Sequence, residues 1–141
     1  MDAVSRHADA VGMAEPTARL MSKLGVYWLK RGQFRTAEPM MRRALTIDEL
    51  SFGKDHPNVA RDLNNLAALL HDTNRLADAE PMMRRALLIL IEFTRRSGHK
   101  HPHLHVVRGS YHGLLEALGE TPDQIKQRLR ELDESLDSDD S

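Results

Sequence analysis

Ala37-Glu38-Pro39-Met40-Met41-Arg42-Arg43-Ala44-Leu45 returns, residue for residue, as Ala79-Glu80-Pro81-Met82-Met83-Arg84-Arg85-Ala86-Leu87. The offset is 42 residues, and it also carries Leu24-Gly25 onto Leu66-Ala67, Trp28 onto Leu70 and Phe34 onto Leu76. Nine consecutive identities at a fixed period mark an internal repeat, in which one supersecondary unit is stacked on the next. A third copy follows at an offset of 45. There Gly53-Lys54-Asp55-His56-Pro57 corresponds to Gly98-His99-Lys100-His101-Pro102, and Leu66, Leu69 and Leu70 correspond to Tyr111, Leu114 and Leu115. The additional residues fall between Ile89 and Gly98, which predicts a second helix about one turn longer in the middle unit.

Each unit reads as two helices. Leu63, Leu66, Ala67 and Leu70 have helical spacing, and so do Ala79, Met83, Ala86 and Leu87. Between these runs, Asn74 stands where Gly32 stands one unit earlier, and both residue types accept the left-handed conformation that ends a helix. Pro39 and Pro81 are expected in a first helical turn, where the backbone N–H has no intrahelical partner. Glu38 and Glu80 precede Arg42 and Arg84 by four residues, the favourable order for a helical ion pair. Asp55-His56-Pro57 and His101-Pro102 place a proline at the start of each following unit. Residues 3–14 make a weak helix, like the second helix of an incomplete preceding unit. Thr121-Pro122-Asp123-Gln124 is a capping-box start, continued on one face by Ile125, Leu129 and Leu132.

Composition agrees with an all-helical chain. The 141 residues are 40% hydrophobic and 29% charged, so the chain is globular, and a chain of this size buries roughly 70% of its unfolded surface. Aromatic residues are only 4%. There is no cysteine, which excludes disulfides, thiolate metal sites and a cysteine nucleophile. The longest apolar run, Ala86 to Ile91, is far short of the ~20 residues that span a bilayer. Met1-Asp2-Ala3-Val4 shows neither a basic nor an apolar leader segment, and the expected compartment is the cytoplasm. The net charge of −1 conceals a division: residues 131–141 hold six acids and no base, whereas the preceding residues hold 20 bases and 15 acids. The acidic end reads as a disordered tail.

A helix-turn-helix unit of this period, with small residues where helices cross, resembles the tetratricopeptide repeat. The family's pattern reads Met21, Leu24-Gly25, Trp28, Ala37, Met41, Ala44 in the first unit and Leu63, Leu66-Ala67, Leu70, Ala79, Met83, Ala86 in the second. Gly25, Ala37 and Ala44 allow close approach, and the large residues fill the grooves between helices. His56-Pro57-Asn58-Val59-Ala60-Arg61-Asp62-Leu63-Asn64-Asn65-Leu66-Ala67 and the repeated Ala-Glu-Pro-Met-Met-Arg-Arg-Ala-Leu look like the kinesin-light-chain type, which is common as long arrays in bacteria. The resemblance covers about residues 17–119. It implies an all-α, right-handed superhelical α-solenoid of stacked antiparallel helix pairs with about seven helices. The expected divisions are an N-terminal helix in residues 1–16, repeats over 17–56 and 57–101, a degenerate repeat with a capping helix over 102–136, and a tail over 137–141. His112 and Gln124 depart from the pattern in the third unit.

In such arrays the first helices line a concave face. The family's ligand-facing positions map onto Arg19, Ser22, Val26, Leu29 and Lys30, onto Arg61, Asn64, Ala68, His71 and Asp72, and onto Val106, Gly109, Gly113 and Glu116. Asn64 matches a position at which related repeats hold a peptide backbone, a task suited to an amide that donates and accepts. Arg19, Lys30 and Arg61 suit an acidic ligand segment. The reading is therefore a protein-interaction module that binds a peptide or partner helix in this groove. The alternative is a structural unit that self-associates or stacks on another array through its exposed ends, making a homo-oligomer.

Other signals are weaker. Arg42-Arg43 and Arg84-Arg85 lack the glycine-rich loops or interleaved aromatics of nucleic-acid sites, and pairing with glutamate explains them. His99, His101, His103 and His105 alternate, and His101 and His105 are the metal candidates because neutral imidazole suits zinc or nickel. His101, however, is the repeat-linker counterpart of His56, and no carboxylate or cysteine completes a site. The expectation is no cofactor, no nucleic-acid or membrane partner, and no enzyme, since no catalytic triad, acid pair in a cleft-forming motif or phosphate loop is present. Met40, Met41, Met82 and Met83 are at core spacing.

Overall fold

The computed structural model describes residues 14–135. The weak N-terminal helix expected over 3–14 lies outside them save for Ala14, and so does the tail over 137–141. The described residues form six helices and no strand: α1 (Ala14–Lys30), α2 (Phe34–Phe52), α3 (Pro57–Asp72), α4 (Leu76–Ser97), α5 (Leu104–Ala117) and α6 (Pro122–Ser135). No helix among the described residues is long and apolar enough to cross a membrane.

The turns explain why the chain folds into hairpins. Gly32 and Asn74 adopt φ of 75° and 59°, as their matching positions predict. At the first turn Gly32 N bonds Leu29 O at 3.0 Å and Gln33 N bonds Trp28 O at 2.9 Å. At the second, Asn74 N bonds His71 O at 3.0 Å and Arg75 N bonds Leu70 O at 2.7 Å. Both are Schellman closures, which satisfy the last carbonyls of a helix and reverse the chain within three residues. The following helix therefore starts at once, with Ala37 N bonding Gln33 O at 3.0 Å and Ala79 N bonding Arg75 O at 3.1 Å. This corrects the placement of the prolines. Pro39 and Pro81 lie inside α2 and α4, beyond the first turn. The carbonyls of Arg35 and Ala77 lose their helical partner there, and both residues are exposed, so water can satisfy them.

The helices stack in two layers, a solenoid of antiparallel pairs. α1 packs on α2, and α3 on α4; in one layer α3 lies against both α1 and α5, while α4 and α6 touch in the other. The central pair supplies most of the core: Leu63, Leu66, Leu69 and Leu70 of α3 with Met83, Leu87 and Leu90 of α4. Tyr111, Leu114 and Leu115 of α5 and Ile125 of α6 extend it. Ala37, Ala44, Ala67, Ala79 and Ala86 are fully buried at the crossings. At Gly25 a β-carbon would lie 2.7 Å from Met41 Cγ. α4 has 22 residues against 19 in α2, the extra turn expected from the change of offset. α6 begins with the expected capping box, in which Thr121 N donates to Gln124 Oε1 at 2.8 Å and Gln124 N donates to Thr121 Oγ1 at 3.2 Å.

Ion pairs tie successive hairpins together at their edges. Glu38 of α2 holds Arg42 at 2.9 Å and also accepts from Arg75 at the start of α4. The Arg75 guanidinium, with Arg42 beside it, keeps the Glu38 carboxyl below its ordinary pKa. Arg85 of α4 reaches Glu49 of α2 at 3.5 Å, while within the last hairpin Arg108 of α5 holds Asp133 of α6 through contacts of 2.9 and 3.2 Å.

Candidate functional site

α3 is enclosed by α1, α4, α5 and α2. From Val59 onward it buries every residue except one stripe: Arg61, Asn64, Asn65, Ala68 and His71 are half-buried, and Asp72 is exposed. The spacing of three and four along a helix puts these residues on one face. On α1, the adjacent helix of the same layer, Arg19 and Lys30 are exposed. Val26 and Leu29 are half-buried and pack against the core, so they offer only an edge. On α5, Val106, Gly109 and Glu116 are exposed and Gly113 is half-buried. Glu116 is engaged by His112 Nδ1 at 2.9 Å. At the mapped positions the third helix of this layer thus brings one acid and no other polar side chain.

Two of the mapped residues have other duties. Ser22 is only 6% exposed, and its Oγ donates to Asp62 Oδ1 at 2.7 Å. It faces α3, because the first hairpin packs on the second through that side of α1. Arg61 is half-buried and its Nη2 lies 3.3 Å from Asp48 Oδ2 and 3.4 Å from Asp62 Oδ1. Its guanidinium is therefore bound to protein carboxylates rather than held ready for an acidic ligand. The remaining open set is Lys30, Asn64, Ala68, His71 and Asp72. Asn64 keeps a buried Oδ1 that has no partner among the described residues.

The acids that engage Arg61 are the residues that sequence reasoning missed. Asp48 and Asp62 are each 1% exposed. Burial, and then the neighbouring Asp48 carboxyl, push the Asp62 pKa up to about 8, against the opposing pull of Ser22 and Arg61. A signal was present. At the repeat offsets Asp48 aligns with Leu90 and Asp62 with Val107, both buried apolar residues. A carboxylate in an apolar register position is the mark of a buried polar contact.

The histidine segment caps backbone. His56 Nδ1 accepts from Asn58 N at 3.0 Å, and His101 Nδ1 accepts from His103 N at 3.1 Å, the same device at the head of two successive units. His56 stacks on Phe52 and His101 meets the edge of Phe93, so these rings line an open hollow of about 620 Å³ between the two linkers. Burial lowers the His101 pKa, with His103 contributing. His105 is exposed, and no three His, Cys, Asp or Glu side chains gather to hold a metal among the described residues.

Compared with models of known protein families, residues 16–92, more than half of the chain, match the tetratricopeptide repeat. No curated protein matches the chain closely enough to lend it a function.

Proposed function

Because the chain belongs to the tetratricopeptide repeat family, whose repeats mediate protein–protein interaction, we propose that it is a binding module taking an extended peptide or partner helix along the open stripe of α3. The observation that carries this reading is the enclosure of α3, which leaves Asn64, Ala68, His71 and Asp72 as its open face, with Lys30 exposed on the neighbouring α1. Amide and imidazole groups suit main-chain recognition, and Lys30 suits an acidic residue of the ligand. The 42-residue period supports the kinesin-light-chain subtype, with units over 17–56, 57–101 and 102–136. The test is affinity for a peptide selected from a random display library on the whole chain. Asn64→Ala and Lys30→Glu should each weaken it at least about fivefold, or ~1 kcal/mol, with unchanged helicity. Equal affinity in both variants would refute the groove.

One observation favours a second reading, association through the end. Leu20 and Tyr27 of α1 are 56% and 45% exposed, yet their register counterparts in α3, Asp62 and Leu69, are buried. Leu50 of α2 is 84% exposed. This end carries the kind of surface that a further helix pair covers in a solenoid. Light scattering across concentration separates the readings: a dimer broken by Leu20→Lys and Leu50→Lys supports stacking, and a strict monomer rejects it.

A further inference from the structure

Asp48 of α2 and Asp62 of α3 are buried together where the first hairpin packs on the second, and their supply of donors falls short. Arg61 Nη2 reaches Asp48 Oδ2 and Asp62 Oδ1, and Ser22 Oγ donates to that same Asp62 oxygen. The other two oxygens, Asp48 Oδ1 and Asp62 Oδ2, are buried with no partner among the described residues. The two carboxyls sit on the same guanidinium nitrogen, Arg61 Nη2, at 3.3 and 3.4 Å, which holds them side by side. Two carboxylates facing a single arginine would leave one uncompensated charge and two unpaired acceptors in a dry contact, each of which is costly.

A proton removes both deficits. Placed on one carboxyl, it makes an O–H donor for the other and leaves one negative charge opposite one guanidinium. A metal ion is a poorer fit, because Arg61 already brings a positive charge and only two carboxylates meet there. We propose that Asp48 and Asp62 share one proton at neutral pH and so form an acid-pair lock between the first two hairpins, which loosens when the proton is lost. The reading stands apart from the groove proposal, since it concerns how the hairpins are held and not what binds them.

The surroundings are consistent with this. From α1 the pair meets the Ser22 hydroxyl, and from α3 the Arg61 guanidinium. On α2, the adjacent Glu49 is taken by Arg85 of α4. The other charged groups of α4 near the core, Glu80 and Arg84, act on Tyr111 instead. Burial and the Asp48 carboxyl raise the Asp62 pKa from the usual 3.8 to about 8. The folded chain therefore holds a proton that the unfolded chain has released across the window from 3.8 to about 8. Within that window, rising pH favours unfolding through this pair by up to about tenfold per pH unit, and above it the effect levels off.

The experiment is a carbon NMR titration of the whole chain labelled at aspartate Cγ. One aspartate carbon should titrate near pH 8 and be absent from Asp62→Asn. If every aspartate carbon completes its titration below about pH 6, the shared proton is refuted. A second readout is urea unfolding of the wild type and Asp62→Asn at pH 5, 7 and 9, since the amide keeps a donor for Asp48 but cannot titrate. The ratio of their unfolding constants should rise at least about tenfold across the range, and a constant ratio would overturn the proposal. Should Asp62→Asn fail to fold, the wild-type titration decides alone.

Discussion

Gly25→Ala isolates the contact that sets the spacing of the first hairpin. An alanine β-carbon at this position would lie 2.7 Å from Met41 Cγ, 3.5 Å from Met41 Cε and 3.6 Å from Ala37 O. Carbon atoms pack best at about 3.5–4.0 Å, so the Cγ contact must open by roughly 1 Å. Met41 is 1% exposed and its Cγ is one bond from Cβ, so the side chain cannot swing aside; either χ1 leaves its well or the helices part. Overpacking of this kind costs about 1–3 kcal/mol. Replacing glycine by alanine inside a helix returns about 1 kcal/mol. The expected balance is a net loss of about 1 kcal/mol. In a Met41→Ala background the clash is gone and only the helix gain remains, so the same substitution should stabilise by about 1 kcal/mol. The signature is thus a reversal of sign, with a coupling near 2 kcal/mol. The assay is urea unfolding of the four proteins, followed by circular dichroism and Trp28 fluorescence. Sucrose is added to all four to raise stability against the ~2–5 kcal/mol that Met41→Ala removes. If Gly25→Ala stabilises equally in both backgrounds, the close approach does not constrain the hairpin and the reasoning fails.

Other expected outcomes test different contacts. Tyr111 is fully buried and its hydroxyl has no partner among the described residues, so Tyr111→Phe should leave stability unchanged or raise it by about 1 kcal/mol, as unfolding midpoints will read. Thr121→Ala removes one half of the α6 capping box and should cost about 1 kcal/mol, with faster amide exchange in the first turn of α6. Glu38→Gln breaks the tie to Arg75, and because both side chains are partly exposed the loss should be no more than about 1 kcal/mol and shrink in high salt. The sign with pH follows from the lowered Glu38 pKa: its contribution is present above the ordinary value of 4.5 and is lost as pH falls below it, and Glu38→Gln should abolish that dependence.

The fold was legible because its instructions are local and repeated. Identical nine-residue runs, the Gly32 and Asn74 turn positions and the capping box at Thr121 each specify backbone geometry within a few residues. The proline placement failed for a local reason too: the Schellman turn closes so tightly that α2 and α4 begin at Phe34 and Leu76, ahead of the repeated run. The candidate surface was only half legible. Helical spacing selects a face but does not say which neighbour will cover it, and Ser22 and Arg61 proved to lie on the side that the adjacent hairpin uses. Asp48 and Asp62 are 14 residues apart in the chain and meet only through packing of the two hairpins, so no local pattern joins them.

Amide-resolved NMR mapping of a display-selected peptide on the whole chain tests the central claim most directly. The account expects the shifted signals to run along the open stripe of α3, from Asn64 to Asp72, and onto Lys30 of α1, with α2 and α4 unaffected. Shifts confined to α2 and α4, or clustered about Leu20, Tyr27 and Leu50 at the exposed end, would contradict it.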